Sequence, residues 1–221
     1  YGANPEDVIY YLTVYNEPYV QPRQPEGVDV EGITKGMYLL APGSWEGVNP
    51  DARRVQLLAS GVGVPWALEA QRLLHDDWGI VADVWSVTSW TELRRDAIAN
   101  DEAKFLHPDQ EHGDSWIVQK LKDAPGPVIA TSDYMRQVPD QIAQWVPNEF
   151  ASLGADGFGF SDTRAAARRF FHIDGPSMVV RALQLLVRRG EIDPAWPGQA
   201  AEKYRLLDVT AGASGNAGGD A

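Results

Sequence analysis

The chain has 221 residues, enough for one large domain, and 44% of them are hydrophobic, which supplies a packed core. Acidic residues outnumber basic ones by 31 to 19, and the net charge of −12 argues against nucleic acid and membrane surfaces as partners. The absence of cysteine excludes disulfides, thiolate nucleophiles and cysteine-ligated metals, and it fits a cytoplasmic location.

The amino-terminal residues predict the end of one folded unit followed by a linker. Val8 to Val14 is dense in β-branched and aromatic residues, which favours a strand, and Pro18 ends the stretch. The segment VQPRQPEGVDVEGI (20–33) is rich in proline and acidic residues, so we expect it to be extended and not helical. Because the chain begins with Tyr1 almost inside this strand, we expect it to be part of a longer polypeptide.

The rest of the chain predicts alternating strands and helices. Strands are predicted in ITKGMYLLAPG (33–43), VQLLASG (55–61), IVADVWSVTS (80–89), GPVIATS (126–132) and FASLG (150–154). Helices are predicted at 64–79, 90–101, 114–123, 134–146, 177–190 and 193–207. Gly79 and Gly190 are the expected C-terminal caps of the first and fifth, and Ser89 with Glu92 forms a capping box at the start of the second. Pro139 lies near the first turn of the fourth helix, and Asp193 and Pro194 take the N-cap and N1 positions of the last. Such alternation indicates a mostly parallel sheet with helices on both faces.

The stretch GADGFGFSDTRAAARRFF (154–171) combines glycines, a Ser-Asp pair and arginines, which raises the question of phosphate binding. Its glycine spacing reverses that of the dinucleotide fingerprint, and it lacks the lysine of a Walker loop. We therefore interpret it as a tight turn and a helix start, capped by Ser161 or Asp162. The three arginines would then lie on a helix face where they pair with acidic residues: Arg164, Arg168 and Arg169.

Two of the four histidines, His107 and His112, lie close together in FLHPDQEHGD (105–114). Their spacing is not helical and Pro108 interrupts it, so a solvated acidic loop is the better interpretation than a metal site. A role for His107 toward an active site built by other chains stays open. Gly-x-Ser-x-Gly is absent, so no Ser-His-Asp arrangement is indicated.

Taken together, several segments resemble one family, the homodimeric bacterial pyruvate dehydrogenases, which are thiamine-diphosphate-dependent decarboxylating components. YYLTVYNEPYVQP and PEGVDVEGITKGMYLL resemble the junction between the second and third domains of that family. The segments that follow resemble its third domain in the same order: VQLLASG, DVWSVTSWTELRRD, FLHP, VIATSDYMRQVPDQIAQWVP, LGADGFGFSDTRAAARRFFHID and LLVRRGEID. The resemblance runs from about Asp7 to Leu206, and transketolase is similar at a greater distance. One departure is Phe160, which stands where the family commonly has arginine.

The resemblance implies an α/β fold with a mostly parallel five-stranded sheet and helices on both faces, like the transketolase C-terminal domain. It implies that residues 1–32 end a pyrimidine-binding domain and form a linker, and that 33–208 form the transketolase-like domain. The small-residue tail, 209–221, predicts disorder.

The resemblance also implies a function, the decarboxylation of pyruvate and reductive acetylation of lipoyl groups by the intact enzyme. Other domains would hold thiamine diphosphate and Mg²⁺, and this segment would hold no cofactor. It would supply scaffold and homodimer contacts and would not be catalytic alone. The implied partners are a second copy of the chain and the lipoyl-bearing acetyltransferase core. Two alternatives stay open: a free-standing, non-catalytic α/β module for interaction or effector binding, and the same domain of a transketolase or another 2-oxo acid dehydrogenase.

We assign no catalytic, cofactor-binding or metal-binding residue in this chain. Sites in open α/β sheets gather in the loops after strand ends. The loop or interface candidates on this basis are Ser89, Glu92, His107, Asp133, Tyr134 and Asp162.

Overall fold

The computed structural model describes residues 5, 7–9, 11–12, 14, 20–43 and 52–214. The strands are β1 (Met37–Ala41), β2 (Arg54–Ala59), β3 (Val81–Val87), β4 (Val128–Thr131) and β5 (Phe150–Leu153). The α-helices are α1 (Val30–Lys35), α2 (Gly63–Trp78), α3 (Trp90–Leu106), α4 (Trp116–Leu121), α5 (Gln137–Asp140), α6 (Arg164–Phe170), α7 (Gly175–Arg188) and α8 (Trp196–Lys203). Two 3₁₀ helices span Ala143–Trp145 and Val209–Ser214.

The strands form one sheet in the order β1-β3-β2-β4-β5. β2 runs parallel to both neighbours, with Leu57 opposite Val84 of β3 and Ile129 of β4, and β5 lies parallel to β4. β1 pairs antiparallel with β3, Met37 lying opposite Val87. The predicted α/β fold with a mostly parallel five-stranded sheet is therefore confirmed.

Each face of the sheet carries its own hydrophobic core. Leu57 points into the core formed with α2, α7 and α8, whereas Leu58 points into the core formed with α3 and α4. Because successive side chains of a strand alternate between faces, a strand covered on both sides needs an unbroken apolar run, as β2 has. No helix in the described parts of the chain combines the length and the apolar character that crossing a membrane requires.

The predicted ends of two helices are confirmed, and one of the two hydrogen bonds of the predicted capping box is present. Gly79 ends α2 with φ 63°, and Gly190, just beyond α7, has φ 71°. The Ser89 hydroxyl caps α3 by accepting from the Glu92 N–H at 3.1 Å. The reciprocal half of a capping box is missing, because the Ser89 N–H donates to the Gly36 carbonyl and the Glu92 carboxylate pairs with Arg95.

A polar cluster is buried at the amino ends of β2 and β3. The fully buried Gln56 donates from Nε2 to Asp83 Oδ2 at 3.0 Å and accepts from Trp85 Nε1 at 2.8 Å. Asp83 also accepts from Arg54 at 3.1 Å and from the Gly43 N–H at 2.7 Å. Because these groups pair with one another across strands, the cluster favours the observed register.

A buried ion pair joins α6, α7 and the segment after α8. Arg169, whose side chain is 3% exposed, donates from Nε to Asp174 Oδ2 at 2.6 Å. Its Nη1 donates to the Tyr204 and Arg205 carbonyls at 2.9 and 3.0 Å. Asp174 also caps α7 by accepting from the Ser177 N–H at 3.1 Å. The prediction that the arginines of this helix pair with acidic residues is thus confirmed for Arg169, which is buried.

The amino-terminal predictions need correction. The described residues between 7 and 14 form no strand, and Ile9 and Tyr11 are 98% and 89% exposed, because no described strand lies beside them to pair with. The segment expected to be extended up to residue 33 instead begins α1 at Val30. Asp29 explains this start, since its carboxylate accepts from the Gly32 N–H at 3.0 Å.

Two later helices also differ from prediction. The helix predicted at 134–146 is divided into α5 and a 3₁₀ turn, because the Arg136 N–H donates to Asp156 and the first turn therefore starts later. Asp193 does not cap α8 directly; it accepts from the Ala195 N–H in a turn before the helix.

The end of the chain differs as well. Residues 209–214, predicted to be disordered, form a 3₁₀ helix that packs on α6 and is anchored by Asp208, which accepts from the Thr210 N–H at 2.9 Å. The rest of the predicted tail, 215–221, lies outside the described residues.

Candidate functional site at the carboxyl edge of the sheet

The crevice between the carboxyl ends of β2 and β4 is the place where this topology favours a ligand. The chain leaves β2 toward the α2 face of the sheet, whereas after β4 it reaches Ile142, which packs in the core on the opposite face. Adjacent parallel strands whose connections diverge in this way create an open crevice, the usual ligand position in such sheets.

Polar atoms are buried at this edge without a hydrogen-bond partner among the described residues. They include the hydroxyls of Ser60, after β2, and of Thr131, at the end of β4, which is fully buried. Gly63 in the first turn of α2 lies against Thr131, since a Cβ there would be 3.3 Å from the Thr131 methyl. Neither hydroxyl bonds to a histidine or carboxylate, so neither has the base that a nucleophile requires.

Four of the candidates predicted from the sequence lie at this edge, and the contacts described for three of them are within the fold. Ser89 caps α3 and Glu92 pairs with Arg95. Asp133 and Tyr134 follow β4, where the Tyr134 carbonyl accepts from the Ala155 N–H at 2.9 Å and holds the loops after β4 and β5 together. The Tyr134 side chain is 54% exposed.

The other two candidates do not join them. His107 follows the last residue of the 17-residue α3, about 25 Å along the helix from Ser89. Its carbonyl lies 2.8 Å from His112 Nε2 in an exposed loop. Asp162 is exposed and accepts from the Thr163 N–H at 2.7 Å. The cap of α6 is Thr163, whose hydroxyl accepts from the Ala166 N–H at 3.2 Å, so the predicted capping by Ser161 or Asp162 is wrong.

A second recess of about 280 Å³ lies beyond the end of β5. Arg136 after β4, His172 after α6 and Arg181 of α7 line it, together with Asp156 and the aromatic residues Phe170 and Phe171. We call this recess the arginine pocket. No local pattern of residues predicts this recess, because its basic residues come from three separate parts of the chain.

Charge in the arginine pocket is only partly balanced. Arg136 donates from its backbone N–H and its Nε to Asp156, and this contact lowers the pKa of the Asp156 carboxyl. Burial lowers the pKa of the Arg181 guanidinium, and repulsion from Arg188 and Arg136 lowers it further. The pocket therefore carries an excess of positive charge in an otherwise acidic chain.

Phe160, the departure from the family pattern, has a packing role. Its ring stacks on that of Phe170 with centroids 4.4 Å apart, and Phe170 meets Phe171 edge-on at 5.1 Å. An aromatic side chain at position 160 thus extends the aromatic rim of the arginine pocket.

The sequence model of the transketolase-like TK C-terminal domain matches residues 36–174. The chain is 54% identical over 211 residues to the pyruvate dehydrogenase E1 component of Mycolicibacterium smegmatis, covering 96% of this chain and 22% of that protein. It is 51% identical over 210 residues to the pyruvate dehydrogenase E1 component of Mycobacterium tuberculosis, covering 95% of this chain and 22% of that protein. The chain thus spans about a fifth of the length of these curated relatives.

Among solved structures, a transketolase from Pichia stipitis in complex with sedoheptulose 7-phosphate has a similar fold. The TM-score is 0.51 at 20% identity, over 78% of this chain and 21% of that one, and at this identity the likeness shows the fold alone. Because the matched region covers more than half of the residues and contains the whole five-stranded sheet, the chain belongs to the transketolase-like TK C-terminal domain family.

Proposed function

We propose that this chain is the C-terminal portion of a pyruvate dehydrogenase E1 component, which decarboxylates pyruvate and reductively acetylates lipoyl groups. The observation that carries the proposal is the 54% identity to such a component along 96% of the chain. Since the match covers 22% of that relative, the reaction belongs to a longer polypeptide. The likeness to transketolase, at 20% identity, supports no competing substrate.

The cofactors of the proposed enzyme are thiamine diphosphate and Mg²⁺, and thiamine diphosphate supplies an electron sink for loss of CO₂. The described residues of this chain do not fit the metal, since no three His, Asp or Glu side chains among them are grouped to hold an ion. We derive no catalytic step from this chain, and the proposal is that other parts of the longer polypeptide hold both cofactors.

The role proposed for this chain is to supply scaffold and homodimer contacts. Support comes from large apolar side chains exposed near the carboxyl edge of the sheet: Tyr134 at 54%, Met135 at 51%, Phe158 at 97% and Phe170 at 46%. Exposed apolar area of this kind marks contact surfaces. A cytoplasmic homodimer that delivers acetyl groups to a lipoyl-bearing acetyltransferase core completes the proposal.

The test is to isolate the native polypeptide with an antibody raised against this chain, measure its intact mass by mass spectrometry and assay its activity on pyruvate. We expect an intact mass about four times the 24.3 kDa of this chain, and pyruvate-dependent reduction of an artificial electron acceptor when thiamine diphosphate and Mg²⁺ are present. The isolated chain, titrated with thiamine diphosphate in parallel, should show no binding.

Each part of the proposal has its own contrary result. A native mass equal to that of this chain would favour a separate interaction module. A larger polypeptide without activity on pyruvate would contradict the substrate, and thiamine diphosphate binding by the isolated chain would contradict its non-catalytic role.

A further inference from the structure

The arginine pocket has the composition of an anion site. Its walls bring two guanidinium groups and one imidazole to a recess of about 280 Å³, and Asp156 is the one acidic residue among the lining residues described. This concentration of positive charge occurs in a chain with 31 acidic and 19 basic residues. Apart from Asp156, the described acidic side chains do not line the pocket and so do not balance its positive charge.

Arg181 is the least satisfied charge in the pocket. Its side chain is half-buried on α7, and no residue in the described ranges forms a hydrogen bond or ion pair with it. The more deeply buried Arg169 shows the opposite pattern, with a carboxylate and two carbonyls as acceptors. The Arg181 guanidinium therefore keeps donors that no described protein group uses, and an anionic ligand in the pocket can accept from them.

Arg136 presents donors to the same space. Its Nε and its backbone N–H donate to Asp156, and no described residue accepts from its two terminal nitrogens. The contact with Asp156 holds the guanidinium in place without using its outer edge. A planar guanidinium group can donate two parallel hydrogen bonds to two oxygens of one phosphate, which is why arginine is common in phosphate-binding sites.

The end of α6 places His172 at the pocket wall. His172 has φ 55°, a left-handed conformation that residues other than glycine rarely adopt. Hydrogen bonds from the His172 and Ile173 N–H groups to the Arg169 and Arg168 carbonyls, at 3.1 and 3.0 Å, hold this conformation. This is a common way for a helix to end, so it fixes the place of His172 at the pocket wall and does not by itself indicate a ligand.

We propose that the arginine pocket binds the phosphate group of a small phosphorylated metabolite. Arg181 and the outer edge of Arg136 donate to the phosphate oxygens, and the rings of Phe170 and Phe171 form the apolar wall beside the rest of the ligand. Four lining residues, Gly154, Asp156, Phe170 and Phe171, belong to the stretch 154–171, but the two guanidinium donors lie outside it. The proposed site therefore differs from a phosphate loop built by the backbone of the glycine-rich turn. The inference does not depend on pyruvate as the substrate of the longer polypeptide.

The test measures phosphate binding to the 221-residue chain by calorimetry and ³¹P NMR at constant ionic strength. Inorganic phosphate is one probe and phenyl phosphate the other, because a preference for the ester distinguishes a metabolite from free phosphate. The variants are Arg181→Met, Arg181→Lys and, as a control, Arg95→Met, which removes the same charge from a side chain 77% exposed on α3.

We expect Arg181→Met to weaken phosphate binding by about tenfold or more. Arg181→Lys should retain part of the affinity, and Arg95→Met should bind like the original chain. Without phosphate, Arg181→Met should unfold at about the same temperature as the original chain, because no hydrogen bond or ion pair among the described residues is lost.

The proposal is overturned if neither probe binds the original chain. It is also overturned if Arg181→Met binds phosphate as tightly as the original chain, or if Arg95→Met loses as much affinity as Arg181→Met does. Equal affinity for the two probes would contradict the metabolite as the source and leave free phosphate as the ligand.

Discussion

Arg169 illustrates how strongly a single buried charge depends on its acceptors. Its guanidinium is 3% exposed and bonded to Asp174 and to the carbonyls of Tyr204 and Arg205. Arg169→Met would leave the Asp174 carboxylate in a buried position without its cation. We expect the free energy of unfolding to fall by about 3–5 kcal/mol, measured by urea denaturation.

The matched control for this change is Arg72→Met. Arg72 pairs with Asp76, but its side chain is 64% exposed, so its loss should change stability by no more than about 0.5 kcal/mol. If the two variants unfolded at the same urea concentration, the buried Arg169–Asp174 pair would contribute no more to stability than the exposed Arg72–Asp76 pair.

At the scale of elements, two glycines of the same turn have opposite requirements. A Cβ on Gly154 would lie 2.5 Å from the Arg136 backbone nitrogen and 2.7 Å from the Tyr134 carbonyl oxygen, whereas a Cβ on Gly159 would meet nothing within 4 Å. Gly154→Ala should therefore push β5 away from the loop after β4 and cost about 1–3 kcal/mol. Gly159→Ala should change stability by less than about 0.5 kcal/mol.

Thermal unfolding of the two alanine variants checks this difference. Because both substitutions add one methyl group to the same glycine-rich turn, general effects on the unfolded chain largely cancel between them. Equal stability of the two variants would mean that the close approach of β5 to the loop after β4 is not maintained in solution.

The pattern of residues predicted elements well where the physical signal is local. The apolar run of β2 and the left-handed Gly79 after α2 both lie within a few residues of the feature they specify. The prediction of a helix from residue 134 was wrong because its start is decided by Asp156, 20 residues farther along the chain. The cap of α6 was placed one or two residues early, since Ser161, Asp162 and Thr163 are all suitable caps and geometry selects the third.

At the scale of the whole molecule, stability should depend on pH through Glu69 of α2. Burial raises the pKa of its carboxyl above the ordinary 4.5, and repulsion from Asp174 raises it further. A carboxyl whose folded-state pKa is raised stabilises the fold fully below the unfolded pKa, and this contribution is lost as pH rises through the folded pKa.

Glu69→Gln removes the ionisation and keeps an oxygen that can accept from the Gly175 N–H. The variant should be more stable than the original chain at neutral pH, and the difference should shrink below pH 4.5. Thermal unfolding across this pH range measures the effect, with the exposed Glu102→Gln as control. A constant difference at all pH values would show that Glu69 does not titrate abnormally.

The whole fold was more predictable than the site. Strand and helix periodicity, with the family resemblance, gave the α/β sheet and its two covered faces, but the arginine pocket depends on Arg136 and Arg181, which lie 45 positions apart by number and in different elements. The aromatic contact of Phe160 with Phe170 likewise appears only when the turn and α6 are folded together. Such assemblies follow from tertiary packing, which periodicity does not report.

The acceptors of Arg169 also impose an order on biosynthesis. Arg205, which supplies one of them, follows Arg169 by 36 residues, so a ribosome adding about 5–20 residues per second leaves the guanidinium without this acceptor for roughly 2–7 s. During that interval α7 is synthesised, while the Arg169 guanidinium of α6 has only the Asp174 carboxylate among its three acceptors. We therefore expect the last stage of folding in this domain to wait for translation of the segment after α8.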